Sequence, residues 1–206
     1  MKRVNFLSFW LLLSVGMVTA QTRSNTNEEG VKGVIINGVK WATRNVDVPG
    51  VFAAKPEDAG RFYQCNRNVA WAATGDVTNW DDSYPAGTTW EKSNDPSPAG
   101  WRVPTRDEIK KLFDTDKVSN EWGTENGVAG RRFTDKATNK SIFLPAVGLR
   151  DHSDGTLSRA GEYGAYWSST QSGSNIAYAM YFNSDDVHSG HFAYRSFGLS
   201  VRCVAN

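Results

Sequence analysis

Two cysteines, three histidines and two short aspartate clusters are the side chains whose chemistry could do more than hold a fold together. Cys65 and Cys203 stand in opposite halves of the chain. A zinc site needs about four ligands with local spacing, so two isolated thiols do not make one. Nothing beside either marks it as an activated thiolate. An oxidising compartment would let them pair, but a domain of this size can rely on its core, and two buried thiols are the expectation. His188 and His191 are three apart, with Ser189 and Gly190 between them. On a helix that spacing would put two ligands on one face, yet the glycine and its polar neighbours point to a loop, and no third ligand is indicated. His152 lies in Asp151-His152-Ser153-Asp154-Gly155, the residue types of a hydrolase triad. Triad members meet through the fold rather than by adjacency, and no Gly-x-Ser-x-Gly elbow occurs, so a polar turn is expected there. Asn79-Trp80-Asp81-Asp82 and Ser184-Asp185-Asp186 offer oxygen ligands of the kind calcium takes, without the spacing of an EF-hand loop. They read as solvated turns. No catalytic activity, no metal and no cofactor are expected.

The elements that must carry these residues can be placed from composition and pattern. The 206 residues include 23 basic and 22 acidic side chains, so there is no basic footprint for nucleic acid. With 39% hydrophobic residues and 8 Trp the chain is too apolar and aromatic for disorder. Residues 1–20 begin with Lys2 and Arg3, run through Phe9, Trp10, Leu11, Leu12 and Leu13, and end in Val18, Thr19 and Ala20, the pattern of a secretory signal peptide cleaved after Ala20. Asn5, Ser8, Ser14 and Gly16 interrupt a run already short for a membrane span, so no membrane span is expected in the mature chain. Residues 21–32 read as a polar linker and residues 33–206 as one domain.

Within that domain, Asn37-Gly38 between Val34, Ile35, Ile36 and Val39, Lys40, Trp41 predicts a two-residue hairpin. Residues 48–97 are rich in Pro, Gly and aromatics, which predicts an ordered loop region with strand only at residues 61–64. Thr105 followed by Glu108, then Ile109, Leu112 and Phe113, predicts a capped helix over residues 105–114. Strands are expected at residues 130–133, 141–149, 165–168, 176–182 and 197–204. In the last, Phe197, Leu199, Val201 and Cys203 are expected to face inward; in the fourth, Ile176, Tyr178, Met180 and Phe182 share a face. Early helix and late, mostly antiparallel strands give an α+β, loop-rich fold with small antiparallel sheets and one or two helices.

Four stretches then read together: Asn37-Gly38-Val39-Lys40-Trp41-Ala42-Thr43-Arg44-Asn45-Val46, Asn94-Asp95-Pro96-Ser97-Pro98-Ala99-Gly100-Trp101-Arg102-Val103-Pro104-Thr105, Tyr166-Trp167-Ser168-Ser169-Thr170, and Phe197-Gly198-Leu199-Ser200-Val201-Arg202-Cys203-Val204. In this order they resemble the Fibrobacter succinogenes major paralogous domain, over nearly the whole of residues 33–204. The resemblance implies a C-type-lectin-like fold, distantly akin to formylglycine-generating enzymes, whose helix start is similar to Arg102-Val103-Pro104-Thr105-Arg106. Such an enzyme would need two close, copper-binding thiolates, which this chain does not announce. Related domains often carry a Cys at the position of Ser97, as partner for the Cys of the final strand; Ser97 departs from that pattern. Neither aspartate cluster has the sugar-binding calcium signature of C-type lectins.

The fold such a resemblance implies presents variable loops on a rigid sheet, and its kinship does not transmit a function. The expected function is an exported, non-catalytic binding or adhesion module, periplasmic, cell-surface associated or secreted, with a glycan or an extracellular protein as ligand. The alternative is a structural or assembly component of a bacterial cell-surface complex. The ligand surface is expected on a loop at residues 184–194, through Ser184, Asp185, Asp186, His188, His191, Phe192 and Tyr194. The competing reading packs Phe192 or Tyr194 beneath that loop. Trp41, Trp101 and Trp167 are expected in the core. Trp80, Trp90 and Trp122 are either stacking platforms or, the favoured reading, pins that hold loops down.

Overall fold

The computed structural model describes residues 33–87 and 89–206; the expected signal segment and linker lie outside the described residues. In chain order the elements are β1 (Val34–Ile36), β2 (Val39–Trp41), β3 (Phe62–Tyr63), β4 (Trp101–Arg102), the helix α1 (Arg106–Leu112), β5 (Val118–Glu125), β6 (Val128–Asp135) and β7 (Ser141–Pro145). They continue with β8 (Leu149–Arg150), β9 (Leu157–Ser158), β10 (Gly164–Gln171), β11 (Ile176–Phe182), β12 (Val187–Tyr194), β13 (Leu199–Ser200) and β14 (Val204–Ala205). Among the described residues one α-helix and small, mostly antiparallel sheets joined by long loops make an α+β, sheet-rich architecture.

Local chemistry accounts for the first elements. Asn37 and Gly38 take φ of 46° and 77°, the pair of positive values that a type I′ turn requires. They close β1 on β2, and β14 and β4 complete a four-stranded sheet in the order β1-β2-β14-β4. At α1 the Thr105 hydroxyl accepts from the Glu108 N–H while the Glu108 carboxylate accepts from the Thr105 N–H at 2.8 Å, the predicted capping box. The helix buries Ile109 and Leu112 and leaves Lys110 and Lys111 in water. β5, β6 and β7 form a separate three-stranded meander.

The organising element is a five-stranded sheet, β12-β11-β10-β13-β3, with apolar core on both faces. On one side Tyr166, Met180 and Phe182 pack against Ile109 and Leu112 of the helix and against Trp41 and Phe133. On the other, Ala165, Trp167, Ala177, Ala179 and Tyr181 meet Tyr63, Val201 and Cys203. Trp41 and Trp167 are fully buried; an indole removes roughly 150–250 Å² from water, or about 4–6 kcal/mol at ~25 cal/mol per Å². Met180 and Phe182 share a face as predicted, whereas Ile176 and Tyr178 are only partly buried.

Three expectations are corrected. The inward and outward alternation over residues 197–204 does not hold: Leu199, Ser200, Val201, Arg202, Cys203 and Val204 are all buried. This segment passes from the five-stranded sheet, where β13 runs parallel to β10, to the four-stranded one, so protein covers it on every side. Residues 187–194, expected as loop, form β12, an edge strand paired antiparallel with β11 from Ile176↔Tyr194 to Phe182↔Val187. Only residues 183–186 turn, and a four-residue connection between paired strands is a hairpin loop. β5 is a strand the sequence pattern did not announce.

The irregular chain on either side of β3, from β2 to β4, is held by buried arginines rather than by regular structure. Arg202 is wholly buried and donates from Nε to Asn45 Oδ1 (2.9 Å) and from its terminal nitrogens toward the Ala42 and Pro56 carbonyls. Arg150 donates to the carbonyls of Ala72 (2.8 Å), Gly75 (2.8 Å) and Gly155 (2.7 Å). Arg195 reaches Gly87 and Ser174. The guanidinium has five donors and binds several carbonyl dipoles at once, so one side chain ties two or three loops together. Burial pushes the Arg202 guanidinium down to about 10.

Candidate functional site

The segment between the 3₁₀ turn at Lys92–Asn94 and α1 borders a cleft of about 590 Å³, lined by Trp90, Lys92, Asp95, Trp101, Arg102 and Ser169 among others. Each wall is fixed by a local bond. The Trp90 indole N–H donates to the Asn94 carbonyl at 3.1 Å, and its ring meets Trp167 edge-on at 6.3 Å. Asp95 accepts from the backbone N–H groups of Ser97 (2.8 Å) and Val103 (3.1 Å), which closes the loop that precedes β4. Gly100, at φ 81°, turns the chain into β4, where Trp101 packs edge-on against Phe52 at 5.6 Å. Arg102 grips Glu108 with both terminal nitrogens, at 2.8 and 2.6 Å. Burial pushes the Glu108 carboxyl up, but the bonds from Arg102 and Thr105 outweigh it and hold it below the usual carboxylate range. The capping box and one wall of the cleft therefore share a carboxylate.

Beneath the cleft lies a thiol. Cys203 Sγ stands 3.1 Å from Ser97 Oγ, and Ser97 lines the cleft. Cys65 and Cys203 are both free and buried, as the low cysteine count predicted. Burial pushes the Cys65 thiol up to about 11 and the Cys203 thiol higher, so neither offers a thiolate near neutral pH.

The seven residues expected on one ligand loop are divided among separate places. Ser184, Asp185 and Asp186 sit in the exposed β11–β12 turn, where Asn183 Oδ1 accepts from the N–H groups of Asp185 and Asp186 at 2.8 and 2.7 Å. Ser184 and Asp185 also line a groove of about 380 Å³ with Trp122 and Tyr163. On β12, His191 lies edge-on to Tyr181 at 4.6 Å and 6.3 Å from His188. Burial, then the neighbouring His188, lowers the His191 pKa. Phe192 is 52% exposed and packs on Tyr178 at 4.9 Å. Tyr194, 42% exposed, leans on His152 and stacks with Phe197. Neither aromatic is tucked beneath a loop.

His152 is wedged against Tyr194 and Phe197, both at 4.9 Å, and its carbonyl accepts from the Trp80 indole. Trp80 also packs against Trp71 at 4.7 Å, with the rings tilted by 49°, so it pins its loop. Trp90 packs against the core and lines the cleft, and Trp122, on β5 rather than in the expected loop, packs on Phe182 and lines the smaller groove. Asp81 accepts from the Ser83 N–H and hydroxyl and pairs with Arg67 at 2.7 Å. Among the described residues no group of three or more His, Cys, Asp or Glu is gathered as a metal would require.

Residues 90–103 supply most of the cleft wall, and only the fold brings Ser169 and Asn206 up to close it, so the cleft was not legible beforehand. Most of its lining, Asp95, Trp101, Arg102 and Ser169 included, falls in the stretches that carry the resemblance. Residues 34–205 match the Fibrobacter succinogenes major domain, which is more than half of the chain. The chain belongs to this family. No curated protein and no solved structure matches it. No helix among the described residues is long and apolar enough to cross a membrane.

Proposed function

We propose that this chain is an exported, non-catalytic binding module that takes a saccharide in the Trp90–Trp101 cleft, on a C-type-lectin-like scaffold. The observation that carries the reading is that two indoles line one cleft, with Pro98, Ala99 and Val103 adding apolar wall and Lys92, Asp95, Arg102 and Ser169 adding polar groups. About 590 Å³ falls within the range of small-ligand sites, ~300–1,000 Å³. Aromatic faces offer flat apolar area at low entropic cost, and Lys92, Ser169 and backbone groups supply donors around it. Pre-set walls leave little ordering to be done on binding. Export rests on the pattern from Lys2 to Ala20.

The test is a glycan array probed with the full chain, followed by titration of each hit against Trp90→Ala and Lys92→Ala. Loss of binding in both variants, with melting temperatures within a few degrees of the parent, supports the cleft. Glycan binding that survives both substitutions sinks it. An array without hits, together with co-purification in a cell-surface assembly, would favour a structural role instead.

A further inference from the structure

We infer a second ligand site, for a carboxylate-bearing saccharide, where the Arg106 guanidinium meets Tyr178 and Phe192 at the outer strands of the five-stranded sheet. It shares no lining residue with the Trp90–Trp101 cleft and does not depend on it. Arg106 is fixed at its backbone, whose N–H donates to Thr170 Oγ1 at 2.9 Å. Its guanidinium carbon lies 3.9 Å from the centre of the Tyr178 ring. Phe192, the cross-strand partner of Tyr178, continues this platform with a ring that is more than half exposed. Gly190 keeps the space open, since a Cβ there would stand 3.0 Å from one terminal nitrogen of Arg106 and 3.1 Å from Nε.

No carboxylate among the described residues pairs with this arginine. Among the described residues the Arg106 guanidinium makes no hydrogen bond and no ion pair, and its buried Nε has no acceptor. Arg102 and Arg132 each meet a glutamate, while Arg150, Arg195 and Arg202 meet carbonyls. The adjacent carboxylate, Asp107, is already bonded to Lys110 at 2.9 Å. A guanidinium is a planar fork that binds a carboxylate through two parallel bonds, and an aromatic ring beside it suits the apolar face of a sugar. An acidic sugar presents both features on one ring.

The probes are tetragalacturonate, its carboxyl-reduced neutral tetrasaccharide and a sulfated neutral tetrasaccharide, each titrated into the full chain. The parent should prefer the uronate, and Arg106→Gln should weaken uronate binding by about tenfold or more while leaving neutral binding unchanged. Trp90→Ala should do the reverse, so failure of the cleft reading and failure of this one are told apart. Arg106→Lys, which keeps the charge but not the fork, should recover only part of the affinity. Unchanged uronate affinity in Arg106→Gln overturns the inference, as does equal binding of the uronate and its neutral counterpart in Trp90→Ala, where the cleft no longer contributes. Equal binding of the sulfated probe overturns the assignment to a carboxylate. If Arg106→Gln lowers the melting temperature, Phe192→Ala serves in its place, and unchanged uronate affinity in that variant is equally fatal.

Discussion

Replacing Ser97 by Cys should convert the contact beneath the cleft into a disulfide with Cys203. The Ser97 hydroxyl oxygen is 3.1 Å from Cys203 Sγ, and the two residues are 106 apart in sequence. A bond needs the atoms at about 2.05 Å, so a modest side-chain adjustment completes it. In the chain-entropy treatment, closing a loop of ~100 residues removes about 4.7 kcal/mol of freedom from the unfolded state. Against this stands the lost hydroxyl–thiol hydrogen bond, about 1 kcal/mol, and the strain of closing the gap. A net gain of about 2–4 kcal/mol is the usual range for such a bridge. For a domain of this size each kcal/mol moves the melting temperature by about 2–4 °C, so the oxidised variant should melt roughly 5–15 °C above its reduced form. Because burial disfavours the Cys203 thiolate, the bridge should be formed during refolding in oxidising buffer rather than by oxidant added to the native protein. Thiol titration in denaturant should then find one free cysteine, Cys65, and peptide mapping should find residues 97 and 203 joined. Two thiols still free beside Cys65 would refute the placement of the last strand against the cleft. A bridge that forms without raising the melting temperature would refute the energetic reasoning.

Two further outcomes follow from the helix and the hairpin. Thr105→Ala removes the hydroxyl half of the capping box and should lower stability by ~1 kcal/mol in urea unfolding; an unshifted midpoint would show that the Glu108 carboxylate caps the helix alone. Asp135 accepts from the backbone N–H groups of Asn37 (2.8 Å), Thr138 (2.8 Å) and Ala137 (3.0 Å), and these bonds, that from Asn37 foremost, hold its carboxyl below the usual range. A carboxylate with a depressed folded pKa contributes fully above its unfolded pKa of ~4 and loses that contribution as pH falls through the folded value. Asp135→Asn should therefore flatten the fall in stability below about pH 4; an unaltered slope would assign the acid sensitivity to other groups.

What the sequence determined by itself was local or cumulative. Asn37-Gly38 fixes a turn because few other pairs tolerate two positive φ values, and Thr105 with Glu108 fixes a helix start because the spacing satisfies two orphan donors reciprocally. The strand at residues 176–182 was legible to the residue from its apolar run, and family membership from four separated stretches. Tertiary structure decided the rest. β12 is made of His, Ser, Gly and Ala beside a few apolar residues, so it is a strand only because β11 supplies its hydrogen bonds, and no intrinsic preference reveals that. Residues 199–204 lost their expected alternation because the chain there is enclosed by two sheets, a fact of topology rather than of period. The cleft, the Ser97–Cys203 contact and the unpaired guanidinium of Arg106 each join residues some 60 or more apart in the chain. Such contacts arise where long-range packing and buried arginines hold irregular chain in place, and periodicity carries no record of them.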